Sequence, residues 1–244
     1  MLITRCRNRG RVLLRIATLC VAMTFLLGQP ASIADPDSSA HRPQHESIDD
    51  NATSQHRFEN ADAWASYFED PARNSWQLPD SIVSILITRK DLAVLDLGSA
   101  TGYFPMRFAR QLPQGIVFGA DIEPSMVFYL NDRARSEGVR NLVSILAEPD
   151  DPHLPQAVDL VFICNTYHHI DHRLDYFERL KKLLRPNAQI AVIDFRVDSK
   201  RGPPHKLARA AVIHEMQAAG YDLAHEHTFL PDQYFLMFQL PNAD

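Results

Sequence analysis

From residue 93 onward, short apolar runs alternate with stretches whose large apolar residues fall three or four positions apart. The runs are those of buried strands and the spaced residues those of helices packed on one face. Strands are predicted over 93–97, 116–120, 142–146, 158–164 and 189–195. Between them, helical stripes are carried by Phe104, Phe108 and Leu112, by Val127, Leu130 and Ala134, and by Leu174, Phe177, Leu180 and Leu184. The third of these helices is predicted over 172–184, ending at Pro186, and a fourth over 206–219, closed by Gly220. Pro105 and Pro124 sit in first turns, where a missing amide removes no bond. This alternation predicts an α/β fold with a mainly parallel sheet and helices on both faces. Two last runs, 222–229 and 234–240, are joined at Pro231-Asp232, a link short enough only for an antiparallel pair.

Ahead of the first strand the pattern changes twice. Trp64, Tyr67 and Phe68 stand at helical spacing within 60–69, a turn is marked at Asp70-Pro71, and a second helix is predicted over 79–88. Residues 58–90 therefore read as an N-terminal helical cap, whose aromatic stripe suits a helix packed on the domain or a lid over a substrate. Residues 35–57 are rich in Ser, Asp, His and Pro and predict a disordered linker.

Residues 1–34 carry Arg5, Arg7, Arg9, Arg11 and Arg15 without an acid, then an apolar run to Leu27 and the small residues Ser32 and Ala34. This is the layout of a signal peptide cut after Ala34, which predicts export to the periplasm or beyond. An uncut membrane anchor is the alternative, and would be the domain's only tie to a membrane; a misassigned start codon would instead leave a cytoplasmic protein. Cys6 and Cys20 fall in this segment, leaving Cys164 as the one later thiol, so neither a disulfide nor a cysteine metal site is expected. Loss of the five arginines takes the formal charge from -5 to about -10, the wrong sign for a nucleic-acid partner.

Candidate chemistry begins where the first strand ends, in Asp96-Leu97-Gly98-Ser99-Ala100-Thr101-Gly102-Tyr103. Residues without bulk let a ligand approach the backbone closely. The dinucleotide fingerprint needs its third glycine at Tyr103, which bars close helix packing there. Gly98, Ala100 and Gly102 behind Asp96 instead resemble the first motif of class I S-adenosylmethionine (SAM)-dependent methyltransferases, with Ala100 in place of the middle glycine. The resemblance extends from about residue 61 to the C-terminus. It rests also on Asp70-Pro71-Ala72-Arg73, Trp76-Gln77-Leu78-Pro79, Thr166-Tyr167-His168-His169 and Leu230-Pro231-Asp232-Gln233-Tyr234-Phe235, which look like a bacterial branch related to the ubiquinone and menaquinone C-methyltransferases. It implies a Rossmann-like, seven-stranded, mainly parallel sheet with a terminal antiparallel hairpin over 58–244, and methyl transfer from SAM to a small-molecule acceptor at carbon, oxygen or sulfur. A non-catalytic nucleoside-binding protein and an NAD-dependent oxidoreductase are the competing classes.

Carried over position by position, the resemblance implies that Asp96 holds the methionine end of SAM, and that Gly98, Ala100 and Gly102 let the backbone approach it. Asp121, ending the second strand, would take the ribose hydroxyls. Glu148 or Asp150 would face the adenine, and Asn165, at the end of the fourth strand, is a further candidate for binding the cofactor. Asn165-Thr166-Tyr167-His168 does not match the Asn-Pro-Pro-Tyr signature of amino-group methylation. In this polar cluster His168 is the candidate general base, with Tyr167 and His169 as helpers, because a histidine titrates near neutrality. Alternatively, Asp171 caps a helix beginning at His172 and the histidines are loop residues. The spacing of His168 and His172 would suit a metal, but no third ligand is evident, so none is expected.

Overall fold

A computed structural model describes residues 58–241. The expected signal at 1–34 and linker at 35–57 lie outside the described residues, as do residues 242–244. Among the described residues no helix is long and apolar enough to cross a membrane. Helices α1 (Ala61–Phe68), α2 (Asn74–Gln77) and α3 (Pro79–Leu86) precede β1 (Ala93–Leu97), α4 (Pro105–Gln111), β2 (Ile116–Asp121), α5 (Pro124–Ser136), β3 (Leu142–Leu146) and β4 (Val158–Cys164). They are followed by α6 (Arg173–Leu180), β5 (Leu184–Phe195), α7 (Arg209–Ala218), β6 (Asp222–His227) and β7 (Gln233–Gln239).

The strands form one seven-stranded sheet in the order β3-β2-β1-β4-β5-β7-β6. β1 to β5 pair in parallel, and β7 runs antiparallel to both β5 and β6. This is the Rossmann-like arrangement expected from the sequence. Alternate residues of each strand supply two cores. Ala93, Leu95, Val161, Ile190 and Val192 meet Phe177 and Leu180 of α6 and Val212 and Met216 of α7. Val94, Phe162, Ala191 and Ile193 meet Ile82 and Leu86 of α3, Phe108 of α4 and Leu130 of α5. The strand order reverses direction between β1 and β4, which opens a crevice beyond their carboxyl ends.

Several local expectations are corrected. The helix expected over 172–184 stops at Leu180, where a 3-10 turn, Lys181–Leu183, hands over to β5. Its buried stripe is Tyr176, Phe177 and Leu180, and Leu174 is exposed. Pro186 lies inside β5 and not after a helix, because the β4–β5 register slips between Val158 and Leu160 and Asn187 there takes φ +63°. Such a bulge leaves no ladder bond for the missing amide to break. On α5, Met126 and not Val127 is buried, since it meets Ala61 and Trp64 of α1. The helix expected over 206–219 begins only at Arg209. The cap's aromatic stripe is packed: Trp64 is buried against Met126 and beside Phe58 and Phe68, while Tyr67 is half exposed.

Gly98 is the glycine that this geometry most constrains. Its φ is +78°, and a Cβ placed there would lie 2.3 Å from the Thr166 hydroxyl oxygen. Gly98→Ala should lower unfolding stability by about 2 kcal/mol or more. Adding Thr166→Ala should restore only part of the steric loss, since the residue-166 Cβ at 2.9 Å and the left-handed backbone both remain. Denaturant unfolding of the two variants checks this; equal stability of Gly98→Ala and wild type would contradict it.

Candidate functional site

The β1–α4 turn is held by its own amides. Gly98 and Ser99 N–H donate to the Ala120 carbonyl at 2.8 and 3.2 Å, Gly102 N–H donates to Ser99, and Ala100 N–H donates to Asp121 Oδ2 at 2.8 Å. Three alternate residues adopt positive φ: +78° at Gly98, +45° at Ala100 and +101° at Gly102. A phosphate cradle needs backbone amides left over for the anion. Here four of them are spent inside the protein, so the turn offers shape rather than donors.

Asp121 ends β2 and is partly exposed. Its Oδ1 accepts the Glu123 N–H at 3.0 Å, and each oxygen keeps a further lone pair for a ligand hydroxyl. Burial pushes its carboxyl up to about 6 against the pull of those amides. Glu123, which sequence reasoning passed over, is buried and accepts the Phe58 N–H at 3.2 Å, tying the cap to the end of β2. Glu148 and Asp150 lie beyond β3, and both are exposed. The Asp150 carboxylate faces Arg179 of α6 at 3.6 Å, so it is a surface partner and poorly suited to adenine. Glu148 exchanges backbone bonds with Asp151, which leaves its side chain the better placed of the two.

Asp96 is buried in phase with Val94, on the α3–α5 side of the sheet. Burial holds its carboxyl well above the usual range, and the Arg73 guanidinium works against that rise. Arg73, also missed in the sequence, lies 3.9 Å over the Tyr103 ring, donates to the Phe68 carbonyl at 3.0 Å and reaches Gln77 Oε1 at 3.3 Å. Tyr103 is buried, and its hydroxyl donates to Asn74 at 2.6 Å, so the residue that breaks the dinucleotide pattern anchors the cap. Cys164, beside Arg73, has its thiol pushed up to about 12 by burial and is no nucleophile.

After β4 the chain turns through Asn165 at φ +58° into a 3-10 turn, Tyr167–His169. Asn165 Oδ1 accepts from Gln233 Nε2 at 2.6 Å, and Gln233 accepts from Gln77 at 2.5 Å. Asn165 thus joins a buried amide chain that runs to the cap. His168 and Asp194 are both buried, with Nδ1 2.7 Å from Asp194 Oδ2. The Asp194 Oδ1 accepts the Phe195 N–H, which fixes the carboxylate. A carboxylate on Nδ1 sets the tautomer with the basic lone pair on Nε2, as general base chemistry requires. Asp194 is the one polar residue of the apolar run 190–195, and that was the sequence signal for it.

The helper roles separate. Tyr167 is fully buried, stacks on Phe177 and donates to Glu215 at 3.0 Å. Burial and the Glu215 carboxylate raise its hydroxyl far above the ordinary value, so Tyr167 is a core residue and not a proton-transfer group. His169 is partly exposed, with its ring 4.1 Å from that of His168 and 6.2 Å from Phe58. The start of α6 carries no side-chain cap, because His172 itself takes φ +46°; Asp171 does not cap it. Among the described residues no three metal-binding side chains converge.

The positions line one edge. Asp96 faces the α3–α5 layer and Asp194 the α6–α7 layer, and they meet at the crevice between β1, β4 and β5. The chain is 26% identical over 132 residues to a tRNA U34 carboxymethyltransferase of Cellvibrio japonicus, covering 53% of this chain and 40% of that one. It is 31% identical over 115 residues to the ubiquinone/menaquinone biosynthesis C-methyltransferase UbiE of Ectopseudomonas mendocina, covering 46% of this chain and 43% of that one. The matched part thus spans under half the length of either relative. The fold is that of a SAM-dependent methyltransferase from Aquifex aeolicus, with TM-score 0.66 at 22% identity over 71% of this chain and 95% of the other. A family model described as a methyltransferase domain matches residues 88–227, which is more than half of the sequence, and the chain belongs to that methyltransferase family.

Proposed function

We propose that this protein is an enzyme that moves a methyl group from SAM to a small-molecule acceptor at carbon, oxygen or sulfur. The observation that carries this is the β1–α4 turn: the amides of Gly98, Ser99, Ala100 and Gly102 are consumed internally while two carboxylates, Asp96 and Asp121, stand near the carboxyl ends of β1 and β2. That chemistry suits a nucleoside with an ammonium group and opposes a pyrophosphate, which argues against the NAD alternative. SAM supplies a methyl group on a positively charged sulfur. Asp121 would accept from the ribose hydroxyls, Asp96 from the ammonium, Arg73 would take the α-carboxylate, and Glu148 remains the candidate for adenine. His168, oriented by Asp194, would remove the proton of an acceptor, and the aromatic cap would exclude water. Much of the rate then comes from holding acceptor and methyl in line.

The expected export of the domain is part of this proposal, and it requires SAM outside the cytosol. Fractionation of cells with N-terminal sequencing should find an exported chain beginning after Ala34; an intact Met1 in the cytosol would refute it.

S-adenosylhomocysteine should bind the purified protein in isothermal titration, and Asp121→Ala should weaken it by roughly tenfold or more. Asp121 accepts hydroxyl hydrogens best when ionised, and its carboxyl titrates at about 6. Affinity should therefore be full above pH 7 and fall as pH drops through 6, while Asp121→Asn should be weaker and flat across that window. Absence of heat with wild type would sink the cofactor assignment.

On an acceptor found by panel screening, His168→Ala should lower kcat by about 10²- to 10⁴-fold, and Asp194→Asn by less, with homocysteine-product affinity unchanged. Binding without turnover across a broad panel would instead favour the non-catalytic class.

A further inference from the structure

Tyr234 lies near the start of β7 and is the cross-strand partner of Asp194. Directly paired residues share a face, and their Cβ atoms lie about 4.5–5.5 Å apart in antiparallel pairs. Its ring therefore stands in the α6–α7 core at the carboxyl edge, beside the His168–Asp194 pair. Tyr234 is 3% exposed, yet its hydroxyl has no hydrogen-bond partner among the described residues. Its neighbour Tyr167 shows the ordinary solution, with its hydroxyl on Glu215 and Glu215 on Arg173. A buried hydroxyl left unpaired is disfavoured by about 1–3 kcal/mol, so such an atom calls for a reason. Burial and the nearby Asp194 carboxylate hold its proton on, which keeps it a donor and never a base.

We propose that the Tyr234 hydroxyl donates to an oxygen of the methyl acceptor, and that the acceptor is accordingly a phenol or an enol. This rests on the methyltransferase function proposed above. In such an acceptor the O–H proton passes to His168 Nε2, giving an imidazolium held by Asp194. The electron pair released forms the bond to the methyl carbon, directly from oxygen or through the conjugated carbon, as the carbon–sulfur bond breaks to a neutral sulfide. Negative charge builds on the acceptor oxygen before the methyl bond is complete, and a neutral donor aimed at it favours that state. An amine or thiol acceptor has no oxygen on which this donor would act.

The full chain saturated with S-adenosylhomocysteine is titrated with 4-nitrophenol, whose absorption distinguishes phenol from phenolate. The wild type should bind it as phenolate at a pH below its solution pKa. Tyr234→Phe should weaken it by roughly tenfold or more while leaving S-adenosylhomocysteine affinity unchanged and thermal stability equal or higher, since an unpaired hydroxyl has been removed. Unchanged probe affinity in Tyr234→Phe, no probe binding by wild type, or binding as the neutral phenol would overturn the assignment. Should Tyr234→Phe fail to fold, Tyr234→Leu is read in the same titration, with the same weakening expected and unchanged probe affinity overturning the assignment. Failure of wild type to bind S-adenosylhomocysteine is separately visible in the first titration and removes the cofactor reading on which the proposal stands.

Discussion

The bond from the Ala100 amide to Asp121 is the constraint on which the site depends. Ala100 holds φ +45°, a region that costs a residue with a Cβ about 1–2 kcal/mol, and glycine would stand there without strain. The carboxylate holds the strained residue by its amide from the neighbouring strand, and the β2 end is itself fixed by parallel pairing to β1 and β3. Turn and acid are thus one unit. An acid that braces the backbone with one lone pair of each oxygen still offers the other to a ligand, so the brace also orients the carboxylate toward the crevice.

The sheet divides the chemistry between its two faces. The period of two puts Asp96 under the cap side and Asp194 over the α6–α7 side, although the residues beside each in its strand are apolar. Each is tolerated because it lies at the carboxyl end, where the crevice and a specific partner take over from the core: Arg73 near Asp96, His168 on Asp194. Groups on opposite faces can meet only at the strand ends. The crossover between β1 and β4 is the place where that occurs.

What could be read in the sequence follows the range of the interactions. The first four strands, the proline-started helices and the antiparallel hairpin rest on periods of two and 3.6 and on short links, all local. The lack of bulk at Gly98 and Gly102, and the failure of the dinucleotide pattern at Tyr103, were local as well. The end of α6 was not, because Leu184 continues a plausible helical stripe up to the stop at Pro186, and only pairing with β4 makes this segment strand. Pairs such as Gln77 with Gln233, separated by 156 residues, leave no trace in any window. Tyr167 stood in the same polar cluster as His168, and only the 3-10 turn decides that one enters the core against Phe177 while the other meets Asp194.

The cap is bound to the same atoms that shape the site. Glu123 donates its amide to Asp121 and accepts the Phe58 amide on its carboxylate, while Ala100, braced by Asp121, packs against the Trp64 cluster. Glu69 accepts from the Thr101 hydroxyl at 2.8 Å and meets Arg133 at 2.8 Å, gripping the turn from its other side. Arg73 and Gln77 repeat the pattern at Tyr103 and Gln233. Beyond the Trp64 cluster and the contact of the Trp76 ring with Phe195, these ties from the cap are polar, and polar ties contribute little net energy each but much geometry. A change at Asp121 therefore acts on three things together: the strained turn, the hydroxyl-binding carboxylate and the seat of the cap. Loss of ligand affinity in such a variant is the sum of those effects, and Asp121→Asn, which keeps an oxygen for one of the two amides, removes the charge while sparing part of the brace.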